Sequence, residues 1–438
     1  MAALSGCSVL GGQSGPSSTD AQPRSTQATG APRSPTEQPL KRSSNFGGLQ
    51  AALDAADPGD TVVVDTDHQV ADRQPASIEV PISDIKIEGD GTSVIEAANA
   101  NPAGDILRIE NKENVWVDNL IIDARSGEGD GNARNIGGQD VGTLNNIRIT
   151  NCVCKNSGRN AINFVNDDTA GDLTDFYIAN NTVNFADGHG ILIGVYDNAG
   201  SARIENIIYE NNTVTDTDSQ ALGMFAVGNN ASAENILYVD NTIDQPTSTD
   251  TQGSNSAFED DVSYAAYYAN EIISGPDTLQ GAITVTKDGE QNIVARNKVR
   301  NGGRMIVVED RQPFRGGPPR RNLVIGNDCR GGNHGVYYDE LDGDLQISDN
   351  RIRDCRNVVT DASTNTGGNY KIFNNGPQVS RSESGLPDRI QNPVEFVDSR
   401  GDTVGAIAWN RGSPESDEPV RVTVSVNLDG GVSVSDLS

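Results

Sequence analysis

Apolar and polar residues alternate in short runs along most of this chain, and the runs recur about every 30 residues. In each unit an asparagine is followed two residues later by an apolar residue. The series is Asn119, Asn151, Asn181, Asn212, Asn241, Asn270, Asn297, Asn327 and Asn350. Because a repeat of this length can bury its apolar face only against its neighbours, the period predicts a solenoid.

The content of one unit predicts three short strands. A run such as residues 207–210 precedes the asparagine, a second run follows it, and a third run such as residues 190–195 completes the unit. The alternation has the period of strands rather than of helices. We therefore predict an all-β fold, a right-handed parallel β-helix of about 10–12 coils that stack about 4.8 Å apart.

The recurring asparagine is interpreted as architecture rather than as chemistry. Asparagine tolerates the left-handed backbone conformation that a tight bend between strands needs. Its side-chain amide can also bond to the asparagine one coil away. We expect a column of asparagines at this bend.

A short helix is predicted ahead of the repeats. Residues 46–56 have helical spacing, Asp57-Pro-Gly-Asp60 ends it, and a strand begins at Thr61. This opening resembles that of proteins in the pectin-lyase-like β-helix superfamily, and the resemblance implies an N-terminal α-helical cap on the first coil. Such a cap would cover apolar core and unpaired strand edges.

Three segments follow from these patterns. Residues 1–43 form a lipobox-like start and a Ser/Thr/Pro-rich tether, residues 44–376 form the β-helix with its cap, and residues 377–438 form a loop and strand segment that covers the far end. The sequence Leu-Ser-Gly-Cys7 resembles a lipoprotein lipobox and predicts a lipid anchor on Cys7. The expected location is extracellular or at the cell surface.

The charge of the chain restricts its partners. The formal net charge is −29 and lysine is scarce. Such a surface repels nucleic acid, and the chain carries no nucleotide-binding loop. An acidic, lysine-poor composition resembles that of halophilic proteins; a cation-binding acidic protein is the alternative. The cysteines at 152, 154, 329 and 355 are expected to be buried free thiols.

The first candidate for chemistry is the sequence Asp187-Gly-His189-Gly-Ile-Leu-Ile-Gly194. It resembles a stretch of polygalacturonase-type glycoside hydrolases, in which the histidine belongs to the active site. The other motifs of that family are not recovered, so only His189 is carried over as a catalytic candidate. The alternative is that the glycines simply form a turn.

The second candidate spans three successive units near the third strand. Lys287 and Arg311 are the predicted catalytic residues, and the predicted metal ligands are Asp288, Glu309, Asp310 and Asp339. The residue types of this cluster resemble those in the active sites of polysaccharide lyases of the pectin-lyase-like superfamily. The resemblance implies that Ca²⁺ neutralises a uronate carboxyl group and that a basic residue removes the adjacent proton. A solvated acidic face with internal salt bridges is the alternative.

A column of polar residues stands just before the third strands and predicts substrate contacts. It contains Arg159, His189, Gln220, Gln280, Arg304, His334 and Arg356, and Tyr338 is a candidate for stacking on a sugar ring. The sequence thus favours a polysaccharide lyase that acts on an acidic, uronate-containing polysaccharide. A polygalacturonase-like hydrolase and a non-catalytic glycan-binding or structural protein are the alternatives.

Overall fold

The computed structural model describes residues 40–100, 102–126, 132–196, 202–226, 231–244, 262–274, 281–286, 289–309, 319–339, 341, 343–363, 370–378, 392–413 and 418–429, and the backbone of 256–259. Pro39–Ser438 is one compact unit; the other, Met1–Gln38, lies outside the described residues, as does Cys7 with its predicted anchor. No helix among the described residues is long and apolar enough to cross a membrane.

The described strands form a parallel β-solenoid, as the repeat predicts, with three sheets that are named here A, B and C. Sheet A has 13 described strands: β1 Leu40–Arg42, β2 Thr61–Val64, β5 Ile85–Gly89, β8 Lys112–Asp118, β11 Leu144–Thr150, β14 Leu173–Ala179, β17 Ala202–Glu210, β20 Ala231–Val239, β23 Val262–Tyr268, β26 Ile293–Ala295, β29 Asn322–Ile325, β32 Leu345–Ser348 and β35 Tyr370–Phe373.

Sheets B and C have 11 described strands each. Sheet B contains β3 His68–Val70, β6 Val94–Ala97, β9 Ile121–Asp123, β12 Val153–Ser157, β15 Thr182–Ala186, β18 Thr213–Thr217, β21 Thr242–Asp244, β24 Glu271–Ile273, β27 Lys298–Arg300, β30 Asp328–Arg330 and β33 Arg351–Arg353. Sheet C contains β4 Ala76–Glu79, β7 Asp105–Arg108, β10 Ile136–Gln139, β13 Ile162–Asn166, β16 Ile191–Val195, β19 Leu222–Ala226, β22 Ser256–Glu259, β25 Ile283–Thr286, β28 Arg304–Glu309, β31 His334–Asp339 and β34 Asn357–Asp361.

Each coil contributes one strand to sheet A, then one to sheet B, then one to sheet C, and equivalent strands of successive coils pair in parallel. Inward side chains meet in one continuous apolar core. Three of them, Tyr209, Tyr238 and Tyr267, are buried and stack face to face, with ring centroids 4.6 and 4.3 Å apart. Aromatic stacking adds to the stability that burial supplies.

A ladder of asparagines, all buried except the half-buried Asn375, runs through the bend between sheets A and B, which confirms the predicted hydrogen bonding between coils. In each link the Nδ2 of one asparagine donates to the Oδ1 of the next at 2.9–3.0 Å. The members are Asn181, Asn212, Asn241, Asn270, Asn297, Asn327, Asn350 and Asn375. The ladder satisfies polar groups that would otherwise be buried without partners.

The register corrects the assignment of the first two asparagines. Val153 pairs with Thr182, so Asn151 lies beside Asn180 and not beside Asn181. Cys152 occupies the ladder position in that coil, and its backbone N–H donates to Asn181 Oδ1 at 2.9 Å. In the preceding coil, Asn119 likewise lies one residue before the ladder position, because Val153 pairs with Ile121.

Free thiols are buried as predicted at Cys152, Cys154 and Cys329, while Cys355 is half-buried. The helix α1 spans Leu49–Asp54, shorter than the predicted 46–56, and follows a 3-10 turn at Ser43–Asn45. Its Leu49, Ala52 and Leu53 are buried in the main core. Its role as a cap stays a prediction.

The C-terminal segment lies along the side of the solenoid. Its strands β36 Val394–Val397, β37 Thr403–Asn410 and β38 Arg421–Val426 form an antiparallel sheet. This sheet packs on the outer face of β17, β20 and β23 of sheet A. The sequence predicted a cover for the far end, but these described strands cover the middle coils instead. Their alternating apolar side chains match a second apolar face, on the outside of sheet A.

Candidate active site

A cavity of about 460 Å³ opens on the outer face of sheet C, over strands β10, β13 and β16. Inward side chains of these strands, such as Ile162 and Phe164, belong to the core, so the alternate residues face outward. Val165 and Leu192 form a small apolar cluster on the outside together with Phe225 and Tyr196. This cluster gives the cavity an apolar side, and the remaining lining is polar.

Two arginines from adjacent coils line the cavity. Arg134 is buried and is held by Asp105 Oδ1 at 2.9 Å and by Gln139 Oε1 at 2.7 Å. Arg159 is exposed, and among the described residues no carboxylate forms an ion pair with it. Partial burial and the neighbouring Arg134 lower the pKa of Arg159, against the opposite influence of Tyr196 and Asp167. Arg159 therefore offers a positive charge that no described carboxylate holds in an ion pair.

His189 lines the same cavity beside Arg159. Burial, and secondly the charge of Arg159, lower the pKa of His189 from 6.5 to about 4. Its ring packs edge-on against Phe225 with centroids 5.4 Å apart, and its Nδ1 is buried without a hydrogen-bond partner. The imidazole is therefore neutral at neutral pH and able to accept a proton.

Asparagines hold His189 in position from the neighbouring coil. The backbone N–H of His189 donates to Asn160 Oδ1 at 2.8 Å. Asn160 Nδ2 in turn donates to Asn163 Oδ1 at 2.6 Å, and Asn163 Nδ2 donates to the Gly138 carbonyl at 2.6 Å. Side-chain networks of this kind orient a catalytic group before substrate arrives.

The glycines around His189 are needed for close packing. A Cβ at position 188 would lie 2.5 Å from Asn160 Oδ1, and one at position 190 would lie 2.6 Å from the Ala221 carbonyl. The glycine bracket thus has the structural role that the turn alternative predicts. The histidine between the two glycines nevertheless lines the cavity.

Carboxylates complete the lining. Asp167 accepts a hydrogen bond from Gln139 Nε2 at 3.0 Å. Asp187 and Tyr196 also line the cavity. The site therefore joins cations, a neutral imidazole, two carboxylates and a phenol.

Strands β28 and β31 of the same sheet carry two residues of the predicted polar column, Arg304 and His334, and two of the predicted calcium ligands, Glu309 and Asp339. The Arg304 guanidinium stacks 3.8 Å above the Tyr337 ring and pairs with Glu309 at 3.1 Å. His334, the strand neighbour of Arg304, bonds Thr360 Oγ1 through Nδ1 at 2.7 Å. The structure brings together Arg304 and His334, as the predicted column requires.

Tyr338 does not have the exposed position that the sequence predicted, and five other predicted site residues lie outside the described ranges. Tyr338 is 3 % exposed, belongs to the core and packs edge-on against Tyr370, so its ring offers no face for a sugar. The predicted residues Lys287, Asp288, Asp310, Arg311 and Gln280 lie outside the described residues.

The described half of the predicted calcium set has other partners. Glu309 is paired with Arg304, and Asp339 accepts a hydrogen bond from the Tyr337 hydroxyl at 3.4 Å. The described residues contain no group of three or more His, Cys, Asp or Glu side chains able to hold a metal ion. With Asp288 and Asp310 outside the described residues, Ca²⁺ binding stays a prediction.

Sequence reasoning missed Arg134, Gln139 and Tyr196. Arg134 stands just before the third strand of its coil, where Arg159 and His189 stand in theirs. The third strand of this coil, Ile136–Gln139, is glycine-rich and weakly apolar, so the hydrophobic pattern does not mark this coil as part of the column. The position of Arg134 relative to that strand was the available signal.

No family model matches the chain, and no curated protein matches it. Among solved structures it is similar to lacto-N-biosidase from Eubacterium ramulus, with 12% identity, 76% of this chain and 67% of that chain covered, and a TM-score of 0.48. It is also similar to the A-module of a mannuronan C-5 epimerase from Azotobacter vinelandii (14%, 76% and 100%, TM-score 0.47) and to a polygalacturonase from Erwinia carotovora (15%, 74% and 91%, TM-score 0.42). Similarities at this level do not establish a shared activity.

Proposed function

We propose that this protein is an extracellular carbohydrate-active enzyme that cleaves an acidic, uronate-containing polysaccharide by β-elimination. The observation that carries the proposal is the exposed, unpaired Arg159 beside a neutral His189 in a cavity of a protein with a net charge of −29. A cation that has no carboxylate partner in so acidic a chain is suited to bind the carboxylate of a ligand.

In the proposed reaction the uronate carboxylate pairs with Arg159, and Arg134 adds positive charge behind it. The cations stabilise the negative charge that develops when the proton next to the carboxylate is removed. His189 takes the proton from C5, the electron pair forms the C4=C5 double bond, and the C4–O bond breaks. Tyr196 is assigned as the donor that protonates the leaving oxygen.

The low pKa of His189 is consistent with a base that becomes effective on binding. In the free enzyme Arg159 disfavours the imidazolium. A bound carboxylate offsets that charge, so the pKa of His189 rises toward the value that a general base needs.

The test follows the ultraviolet absorbance of the unsaturated uronate product on alginate and polygalacturonate. His189→Gln is expected to lower the rate about 10²–10⁴-fold, because general-base catalysis contributes that much. Arg159→Gln is expected to lower it about 10²-fold through lost charge stabilisation. Arg203→Gln, which removes an exposed arginine of sheet A, is the matched control and should leave the rate unchanged. Full activity of His189→Gln would contradict the assignment.

Hydrolysis is the second candidate, because Asp167 and Asp187 line the same cavity. A pair of carboxyl groups on either side of a glycosidic bond is what hydrolysis requires. New reducing ends without an unsaturated product, lost in Asp167→Asn and Asp187→Asn, would favour this reaction. No cleavage of any acidic glycan, together with retained binding, would favour the non-catalytic alternative.

Arg304 and His334 are proposed to contact a more distant part of the same substrate. Strand β28 lies four strands from β16 in sheet C, which corresponds to roughly 19 Å at the spacing of paired strands. A chain of several sugar residues can span that distance. Arg304→Gln is therefore expected to raise KM for long substrates and not for short ones; an equal change for both would contradict this role.

The remaining sequence predictions are kept as proposals with their own tests. Catalysis by Lys287 and Arg311 predicts that their alanine variants lose activity while His189→Gln keeps it. A calcium requirement predicts loss of activity with a chelator and recovery with added Ca²⁺. Attachment through Cys7 predicts that Cys7→Ser releases the protein from membranes.

A further inference from the structure

Positive charge is concentrated on the last three described strands of sheet B. Strands β27, β30 and β33 carry Lys298, Arg300, Arg330, Arg351 and Arg353. Arg300, Arg330 and Arg353 are direct register partners on successive strands. Their backbones are therefore separated by one strand spacing each, about 4.8 Å.

The three arginines in register, Arg300, Arg330 and Arg353, are called here the basic column, and this column is a local feature of sheet B. In the preceding coils the same position is occupied by Asn184, Thr215, Asp244 and Ile273. Like charges placed directly across neighbouring strands destabilise a sheet. Three arginines in register, in a chain with a net charge of −29, therefore need a compensating interaction.

The described carboxylates compensate the column only in part. Asp328 lies between the arginines and pairs with both Arg300 and Arg353 at 3.1 Å. Arg330 pairs with the exposed Asp354 at 2.9 Å, and its own side chain is 56% exposed.

The two flanking cations differ in their partners. Lys298 pairs with Glu271 of the preceding coil. Arg351 forms no ion pair within the described part of the chain, and its Nε is buried without a partner. Five cations thus face three carboxylates, which leaves a local excess of positive charge.

We propose that this face of sheet B is a second, non-catalytic binding surface for an acidic polysaccharide, whose chain runs along the solenoid axis. One strand spacing is comparable to the length of one pyranose residue. Successive uronate carboxylates can therefore lie over successive arginines, which favours a glycan with a charge on each residue over a neutral one. Sheet B is distinct from sheet C, so this surface does not include the cavity around His189.

The experiment measures retardation of the full-length protein in native gels that contain alginate, polygalacturonate or neutral dextran. All proteins carry His189→Gln so that the polymer is not cut. Arg330→Glu is the test variant, because Arg330 is exposed and its partner is exposed. Arg203→Glu, with a side chain 51% exposed in sheet A, makes the same charge change away from this surface.

The proposal expects that Arg330→Glu weakens binding to both acidic polymers at least several-fold and that Arg203→Glu does not. It also expects that Arg330→Glu, with His189 restored, cleaves a short oligouronide at the normal rate. Equal retardation of both variants, or an equal loss of binding to dextran and to the acidic polymers, would overturn it. If only Arg159→Gln weakens binding, the binding surface on sheet B is refuted while the proposed function stands. Melting curves are the control that tests whether each variant is folded.

Discussion

At the scale of single residues, neighbouring asparagines in one bend have different tasks. Asn180 and Asn211 have positive φ angles of 57° and 51° and lie at or near the surface. The residues that follow them, Asn181 and Asn212, are buried and form the ladder. The sequence predicted both properties but assigned them to one residue, because two adjacent asparagines fit the repeat equally well.

A ladder residue should be far more sensitive to substitution than its neighbour. Asn241 Oδ1 accepts from the backbone N–H and from Nδ2 of Asn212, so Asn241→Ala leaves two buried donors without partners. We expect a loss on the order of 3 kcal/mol in the free energy of unfolding.

The matched control is Asn211→Gly, which removes an exposed amide where glycine accepts the positive φ. It should cost less than about 1 kcal/mol. Chemical denaturation of both variants measures the difference, and equal losses would show that the ladder bonds contribute little.

The titration of His189 predicts a pH dependence of stability. Its pKa is lowered to about 4 in the folded protein, so the unfolded chain binds this proton first as the pH falls below about 6.5. Stability from this group is complete above that pH and decreases until the pH reaches about 4.

The unfolding free energy, measured from neutral to acidic pH, should therefore fall less steeply in His189→Gln than in the natural chain. NMR titration of the imidazole tests the same point directly, since the chain has only three histidines. An ordinary pKa near 6.5 would contradict the lowered pKa on which this pH dependence rests.

At the scale of elements, the repeat predicted the strands of the solenoid well and the place of the C-terminal strands poorly. Inward positions of each coil form a recognisable apolar pattern. The outward apolar residues of sheet A, such as Ile208, Leu237 and Tyr268, fit no period within a coil. Their partners are the alternating residues of β36–β38, more than 100 residues later, and a single sequence does not reveal such pairing.

The C-terminal sheet should therefore detach when its apolar contact with sheet A is reduced. Phe396 is 2% exposed and meets Tyr268 with ring centroids 5.8 Å apart. Phe396→Ala should cost about 3–5 kcal/mol, because a buried aromatic ring is lost. The expected readout is faster hydrogen exchange in β36–β38 with little change in the solenoid.

Val397→Ala provides the control for this element, because Val397 adjoins Phe396 but is 54% exposed. It should leave exchange in β36–β38 nearly unchanged. If Phe396→Ala accelerates exchange throughout the chain, the sheet and the solenoid unfold as one cooperative unit.

The candidate site was predictable at the same scale only in part. The column before the third strands identified Arg159 and His189, which line one cavity. It did not reveal that Tyr338 points into the core, because an error of one residue in the alignment of a strand exchanges its inward and outward side chains.

At the scale of the whole molecule, a net charge of −29 acts against the compact state through self-repulsion. Sodium chloride should therefore raise the melting temperature, because ions screen this repulsion. Comparison with sodium sulfate at equal ionic strength separates screening from salting-out. A melting temperature that does not respond to ionic strength would contradict the expectation.

The asparagine ladder also makes the length of the molecule adjustable. Each ladder amide from Asn212 to Asn350 accepts from the coil before it and donates to the coil after it, so these coils offer the same connection. Removing or duplicating one whole coil recreates the bonds that already exist. Gene duplication in units of one coil could therefore lengthen such a protein, and its binding surfaces, without the invention of any new contact.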